Sequence, residues 1–416
     1  SRGLGDVYKR QGYTCKATKP WLGISGEEIC TTKAEDVKVV LRGATNVWFA
    51  DTRSSISIPV DDEKTRRKIV GILNKWFDTI NASRVDGKLN PSFIEMIAVN
   101  EGVNAKELYQ AFEDRANNLQ SGDDINENMS EDEYRIQEYK VLCKTSGSDA
   151  LDFHSISQPI TEYDPVIQDY FESISLVPKL RETRAFVGFS RLEPNQRTIS
   201  DRKKELRLGS TEDWLPAIEV FGEGIFFKFD AEKLQKWAKI PSVQKRISKL
   251  NTAYHKARFG ADSVGDLRPE YVLIHTFAHL IINQLSFDCG YGSSSIRERI
   301  YCERSSNDLN MYGLLIYTAS GDSEGSLGGL VRQGEAGRLE DTIVSAIENA
   351  SWCTSDPICI QSAGQGPESL NLAACHNCTL LPETCCETGN RLLDRGVVVG
   401  TLTEPETGFF NAMRNI

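Results

Sequence analysis

The sequence has no run approaching the ~20 apolar residues that a membrane-crossing helix needs, so no helical membrane anchor is expected. It has no initiator methionine, and Ser1 to Gln11 contain no apolar stretch of the kind a secretory signal carries. It has no excess of basic charge. Lys and Arg number 48 against 59 Asp and Glu, and the net charge of -11 argues against coating nucleic acid through a global basic field, though not against a local groove. Several catalytic signatures are missing too. The glycine-rich stretch Ser320 to Gly334 has no G-K-[ST] ending, which excludes a P-loop and leaves ordinary turn glycines as the reading. His275 and His279 sit one helical turn apart, but Thr276 stands where a zinc metalloprotease needs its glutamate, so the pair reads as core or hydrogen-bonded. There is no G-x-S-x-G elbow, and no H-x-E with a C-x-x-C partner in deaminase order.

What is present in unusual density is cysteine near the C-terminal end. Of 11 cysteines, Cys353, Cys359, Cys375, Cys378, Cys385 and Cys386 form a cluster spaced C-x5-C-x15-C-x2-C-x6-C-C, while Cys15, Cys30, Cys143, Cys289 and Cys302 are scattered. An odd count in a large chain without a secretion signal points to a reducing, cytoplasmic setting, where clustered thiols bind metal more often than they form disulfides. The Cys375–Cys378 pair is a C-x2-C knuckle, whose short loop lets two thiolates face one ion. Zinc takes four such ligands in a tetrahedron. The remaining pair is expected from Cys353 or Cys359 on one side and Cys385 or Cys386 on the other. A site closed in this way holds zinc for structure and leaves no position for substrate. Buried free thiols, a disulfide or an iron–sulfur cluster are the competing readings.

The patterning predicts an α+β, multi-domain chain of mixed helices and short, mostly antiparallel sheets, ending in a zinc-binding module. Residues 1–11 read as translated adaptor sequence and are expected to be non-native, with native sequence missing before them. Residues 12–60 are β-rich, with runs at Val37 to Leu41 and Asn46 to Phe49 and an alternating SISIPV. Residues 61–134 are helical, through Ile69, Ile72, Leu73, Trp76 and Phe77 and then Pro91 to Val99 and Ala105 to Asn117, and end in an acidic linker from Ser121 to Tyr134. Residues 135–262 are mixed, with strands expected in RAFVGFSRL and AIEVFGEGIFFKFD and a hairpin turn at Gly222–Glu223–Gly224. Helices follow from 231, carrying Lys233, Lys236, Lys239, Lys245, Arg246, Lys249, Lys256 and Arg258 against Glu232 alone. This most basic window is either a solvated helix face or a phosphate-contacting surface centred on Lys245, Arg246 and Lys249. Residues 263–416 carry the apolar helix Pro269 to Phe287, the strands IRERIYC and Gly313 to Tyr317, a helix from Arg338 to Ala350, and the cysteine cluster. Arg297 and Arg299 beside Glu298 fit either phosphate contact or an ion-pair ladder on a strand.

Several of these stretches carry a family resemblance. HTFAHLIINQLSFDCGYGSSSIRERIY, GLLIYTASGDSEGSLGGLVRQG, WCTSDPICI, LNLAACHNCTLLPETCCE and NRLLDRGVVVGT resemble the MrfA-type zinc-binding domain, a module attached to or encoded beside superfamily 2 helicases. With KPWLG, LRGATNVWFADTRSSISIP and WLPAIEVFGEGIFFKFD, the likeness extends over most of residues 13–402 to the DrmB family of the DISARM anti-phage system. That family commonly has serine where Cys385 stands, which implies Cys386 as a ligand. WCTSDPIC leaves both Cys353 and Cys359 available, and Cys359 is favoured with Cys353 as the alternate. The implied ligand set is therefore Cys359, Cys375, Cys378 and Cys386. The family's N-terminal zinc-ribbon-like part would place Cys15 and Cys30 in the second half of a site whose first half is absent here. The resemblance implies a non-catalytic accessory subunit of a DNA helicase or translocase (DrmA-like), meeting foreign DNA through the complex. The competing function is a metal-dependent nuclease, for which Asp322 and Glu324 are too few carboxylates. A third possibility is a scaffold with no DNA contact.

Overall fold

The computed structural model of the chain describes residues 48–58, 63–82, 84, 89–106, 108–109, 111–112, 131–145, 148–150, 152–191, 214–257, 265–292, 294–304, 310–318 and 329–415. The segment 1–11, Cys15, Cys30, the run Val37 to Leu41, the acidic residues 121–130, Arg258, and Asp322 and Glu324 of the glycine-rich stretch lie outside them.

The fold is built on one long strand. β4 (Phe171–Arg191) has β5 (Ala217–Phe229) along one side. Its other side is shared by β3 (Phe153–Pro159), at the first half, and β1 (Trp48–Ile56), at the second. With β2 (Ser148–Ala150), β6 (Ile296–Tyr301) and β7 (Gly313–Thr318), the sheet runs β2-β3-β4-β5-β7-β6, curled and antiparallel at every described pairing. Pro178 falls where the β4 register shifts between Val177 and Leu180, so its missing N–H removes no ladder bond there.

The expected hairpin turn at Gly222–Glu223–Gly224 is instead the middle of β5. The glycines are needed because β7 lies close: a Cβ at Gly222 would sit 1.7 Å from the Thr318 carbonyl oxygen. The acidic stretch expected to be linker through Tyr134 gives way at Glu131 to helix α3 (α1 and α2 follow below), which runs Glu131–Leu142. Its first turn holds Glu131, Asp132 and Glu133, where the helix dipole favours negative charge.

Helices cover both faces of the sheet. On one face α3 packs on Phe226, Leu315, Tyr317 and Tyr301. On the other, α7 (Pro269–Cys289) is the centre of the largest core, against Phe227, Phe229, Ile296, Ile300, Leu314 and Ile316. The helices α5 (Ala231–Ala238), α6 (Pro241–Tyr254) and α9 (Leu339–Ala350) join that core, as does the segment from Leu370 to Met413. Short turns of helix lie at α4 (Pro165–Gln168), α8 (Gly329–Gln333) and α10 (Arg395–Val399). A separate helical core joins α1 (Glu63–Ala82), α2 (Pro91–Glu101), Leu108 and Phe112. The division expected between residues 262 and 263 thus crosses a continuous sheet, through the β5–β7 pairing, and a shared core. Among the described residues no helix is long and apolar enough to cross a membrane.

Candidate metal centre

Among the described residues, two groups of metal-competent side chains come together. In the first, the sulfurs of Cys353, Cys359, Cys375 and Cys378 all lie within 4.8 Å of one another. Cys353 and Cys359 stand on the loop that follows α9, and Cys375 and Cys378 on the knuckle. Sulfur–sulfur separations are 3.5 Å for Cys353–Cys375, 3.6 Å for Cys375–Cys378 and 3.8 Å for Cys359–Cys378. Four thiolates at the usual zinc–sulfur bond length have tetrahedron edges of about 3.8 Å. The cluster therefore has the size that zinc requires.

Hydrogen-bond donors converge on two of these sulfurs and favour the thiolate at Cys378. The backbone N–H of Ser355 donates to Cys353 Sγ at 3.4 Å, and that of Cys375 donates to Cys378 Sγ at 3.4 Å. The Thr379 hydroxyl adds a donor to Cys378 Sγ at 3.3 Å. Donation from the Cys359 thiol, with these other donors, holds the Cys378 thiol well below its ordinary pKa against the opposing effect of burial. Cys359 is correspondingly pushed up by sharing that proton, and burial adds to it.

The loop is clamped from behind. Asp356 accepts from the Cys353 and Ile360 backbone N–H groups at 2.9 and 3.0 Å. Fully buried Arg395 donates to the Ala350 carbonyl and to both oxygens of Asp356. Its neighbour Asp394 is equally buried. Asp394 accepts a two-pronged contact from Arg246 at 2.5 and 2.7 Å and backbone N–H groups from Ala373 and Gly396.

Of the expected ligands, Cys359, Cys375 and Cys378 come together, and Cys353 completes the set. Cys386 does not join them. The reason is its anchoring: Glu387 lies along the outer edge of β6, donating its N–H to Glu298 and accepting the Ile300 N–H through its carboxylate. This holds Cys386 Sγ 3.2 Å from His275 Nε2, in the second group. Cys385 packs into the hydrophobic core. The composition of the first group was available as two cysteine pairs, C-x5-C and C-x2-C.

The second group is His275, His279, Glu298 and Cys386, all buried, with donor atoms within 4.8 Å of one another. Strand alternation explains the presence of Glu298. It shares a face of β6 with Ile296 and Ile300, toward α7, while Arg299 and Tyr301 face α3 and bond Glu138. Arg299 is thus ion-paired, but to Glu138 on a helix and not along the strand as the expected ladder would have it. Burial raises and the two histidines lower the Glu298 carboxyl, which ends below its usual range.

The expected basic surface needs correction at its centre. Arg246 is buried by its pairing with Asp394 and is no surface residue. Lys245 and Lys249 are exposed, and Lys245 pairs with Glu404 at 3.0 Å. The α6 helix turns Arg246 inward with Val243, Ile247 and Leu250, the i, i+3, i+4 stripe that packs on α7.

Residues 277–379 match the model of the MrfA Zn-binding domain, a span that contains all four cysteines of the first group and leaves out His275 and Cys386 of the second. Over 433 aligned positions, 99% of this chain and 72% of the relative, the sequence is 34% identical to a DISARM protein DrmB of Bacillus paralicheniformis.

Proposed function

Since the chain belongs to the DrmB family of DISARM proteins, we propose that it is a non-catalytic, zinc-stabilised accessory subunit that works beside a superfamily 2 helicase in the cytoplasm and helps that complex engage foreign DNA. The observation that carries this reading is the four-sulfur cluster. Cys353, Cys359, Cys375 and Cys378 would supply every ligand a tetrahedral zinc ion takes, so the metal would supply folding energy and rigidity and no activated water. The clamp through Asp356 and Arg395 fits that role, because it orients the ligand loop rather than opening it. The exposed Lys245 and Lys249 are what remains of the expected phosphate-contacting centre, beside exposed Lys236, Lys239 and Lys256.

The test is co-expression of the chain with a superfamily 2 helicase of a DISARM system. A stable complex is expected, with weak, salt-sensitive DNA binding by the chain alone and tighter binding by the complex. Failure to co-purify removes the accessory role. ATP hydrolysis or metal-dependent DNA cleavage that persists in the highly purified chain removes the non-catalytic one.

A further inference from the structure

We propose that His275, His279, Glu298 and Cys386 form a second zinc site, distinct from the four-cysteine cluster, that bolts α7 to β6 and to the segment after the knuckle. The three elements meet here. The histidines come from successive turns of α7, the glutamate from the inward face of β6, and the cysteine from a loop fixed to the β6 edge through Glu387.

Hydrogen-bond chemistry favours a cation at the centre. His279 Nδ1 lies 2.9 Å from the Thr379 carbonyl oxygen, which can only accept. The Nδ1 proton is thus spent on that carbonyl, and Nε2 is the nitrogen turned toward Glu298. Nε2 and Glu298 Oε2 stand 3.6 Å apart, and neither atom has a hydrogen-bond partner although both residues are almost wholly buried. A buried ring nitrogen and carboxylate oxygen left without hydrogen bonds are stabilised by a positive centre between them, which a metal ion supplies. A backbone carbonyl behind one ring nitrogen, with the other ring nitrogen turned inward, is also how metal-bound histidines are held.

The distances have the size of a coordination shell. His275 Nε2 is 3.2 Å from both Cys386 Sγ and Glu298 Oε1. A zinc tetrahedron of mixed nitrogen, oxygen and sulfur ligands has edges of about 3.3 to 3.8 Å. Cys386 Sγ also accepts the Asn390 backbone N–H at 3.2 Å, the same support that Cys353 and Cys378 receive in the first cluster. Two imidazoles, one carboxylate and one thiolate suit zinc, which takes all three ligand types and is satisfied by four. With all four positions filled by buried side chains, the second ion would be structural.

Metal analysis of the full chain, purified with zinc and without chelator, tests this together with X-ray absorption at the zinc edge. Two zinc ions per chain are expected, with an average shell of mixed sulfur and nitrogen or oxygen. The Cys375→Ser/Cys378→Ser protein should keep one zinc in a shell dominated by nitrogen and oxygen. The His279→Ala/Cys386→Ala protein should keep one in a shell of sulfur alone. Because the wild-type spectrum reports both shells, the proposal stays testable if a variant fails to fold. One zinc per chain in an all-sulfur shell, or a chain without zinc, overturns it. One zinc in a mixed shell with a single sulfur supports the second site and removes the metal from the four-cysteine cluster.

Discussion

Arg395 grips Asp356 through both carboxylate oxygens, at 2.6 and 2.8 Å, directly beneath the loop that carries Cys353 and Cys359. Asp356 in turn fixes the backbone on both sides of that loop. Asp356→Ala and Arg395→Ala should each weaken zinc retention, as loss of an outer-shell partner typically costs on the order of 10–100-fold in affinity. Zinc release into a colorimetric chelator measures this. Release as slow as from the wild type would show that the clamp serves only the fold.

Removing the metal from the four-cysteine cluster should unfold its surroundings and leave the sheet standing. The Cys375→Ser/Cys378→Ser protein is expected to lose hydrogen-exchange protection across residues 351–395 while β4, β5 and β7 stay protected. The sheet has its own core against α7 and α3, whereas the cysteine loops have little regular structure of their own. Uniform loss of protection would show that the two regions unfold as one unit.

Charge reversal on α6 should separate two residues adjacent in sequence. Arg246→Glu places a second carboxylate against buried Asp394, and breaking such a pair costs on the order of 3–5 kcal/mol. Lys245→Glu with Lys249→Glu should change stability by only about 0.5 kcal/mol, because both side chains are solvated. Urea unfolding midpoints distinguish the two. If the lysine variant also leaves DNA binding by the helicase complex unchanged at two salt concentrations, the window is a solvated face.

Glu138 accepts from Arg299 twice, from the Tyr301 hydroxyl and from the Ile56 N–H, all in the core between α3 and the sheet. Glu138→Leu alone should destabilise by on the order of 3–5 kcal/mol, since it strands a buried guanidinium. Adding Arg299→Met should recover much of that loss. A double-mutant cycle measures the coupling, and additive losses would mean that the two residues act independently.

Two glycine-to-alanine changes should have opposite signs. At Gly222 the new methyl would overlap the Thr318 carbonyl, so the β5–β7 pairing must yield and the melting temperature should fall. At Gly71, on the exposed side of α1, nothing lies within 4 Å, and alanine should stabilise by roughly 0.5–1 kcal/mol. Equal melting temperatures for the two variants would contradict the close packing of these strands.

The sequence was most legible where chemistry is local. The cysteine spacing announced a thiolate cluster, and the uniform apolarity of Pro269 to Phe287 announced a buried helix. It was least legible where partners lie far along the chain. Nothing near Arg246 signals Asp394, 148 residues away, so a core ion pair read as surface charge. Cys386 lies close enough to the knuckle to look like its fourth ligand, and only the docking of Glu387 on β6 turns it toward His275. Glycines in Gly222–Glu223–Gly224 look the same whether a chain turns or another strand crowds it. Glu298 could have been found: the alternation of Ile296, Glu298 and Ile300 already places it on an apolar face, where a carboxylate needs cationic or metal company.

The stacking of Phe410 on Phe277, with ring centroids 5.0 Å apart, sets a schedule for synthesis. Helix α7 is complete at Cys289, but Val397 to Val399, Phe409 and Phe410 that cover it lie more than a hundred residues further on. At roughly 5–20 residues per second, the ribosome leaves the side of this helix beneath those residues open for on the order of ten seconds. During that interval this apolar side is open to chaperones and to other nascent chains.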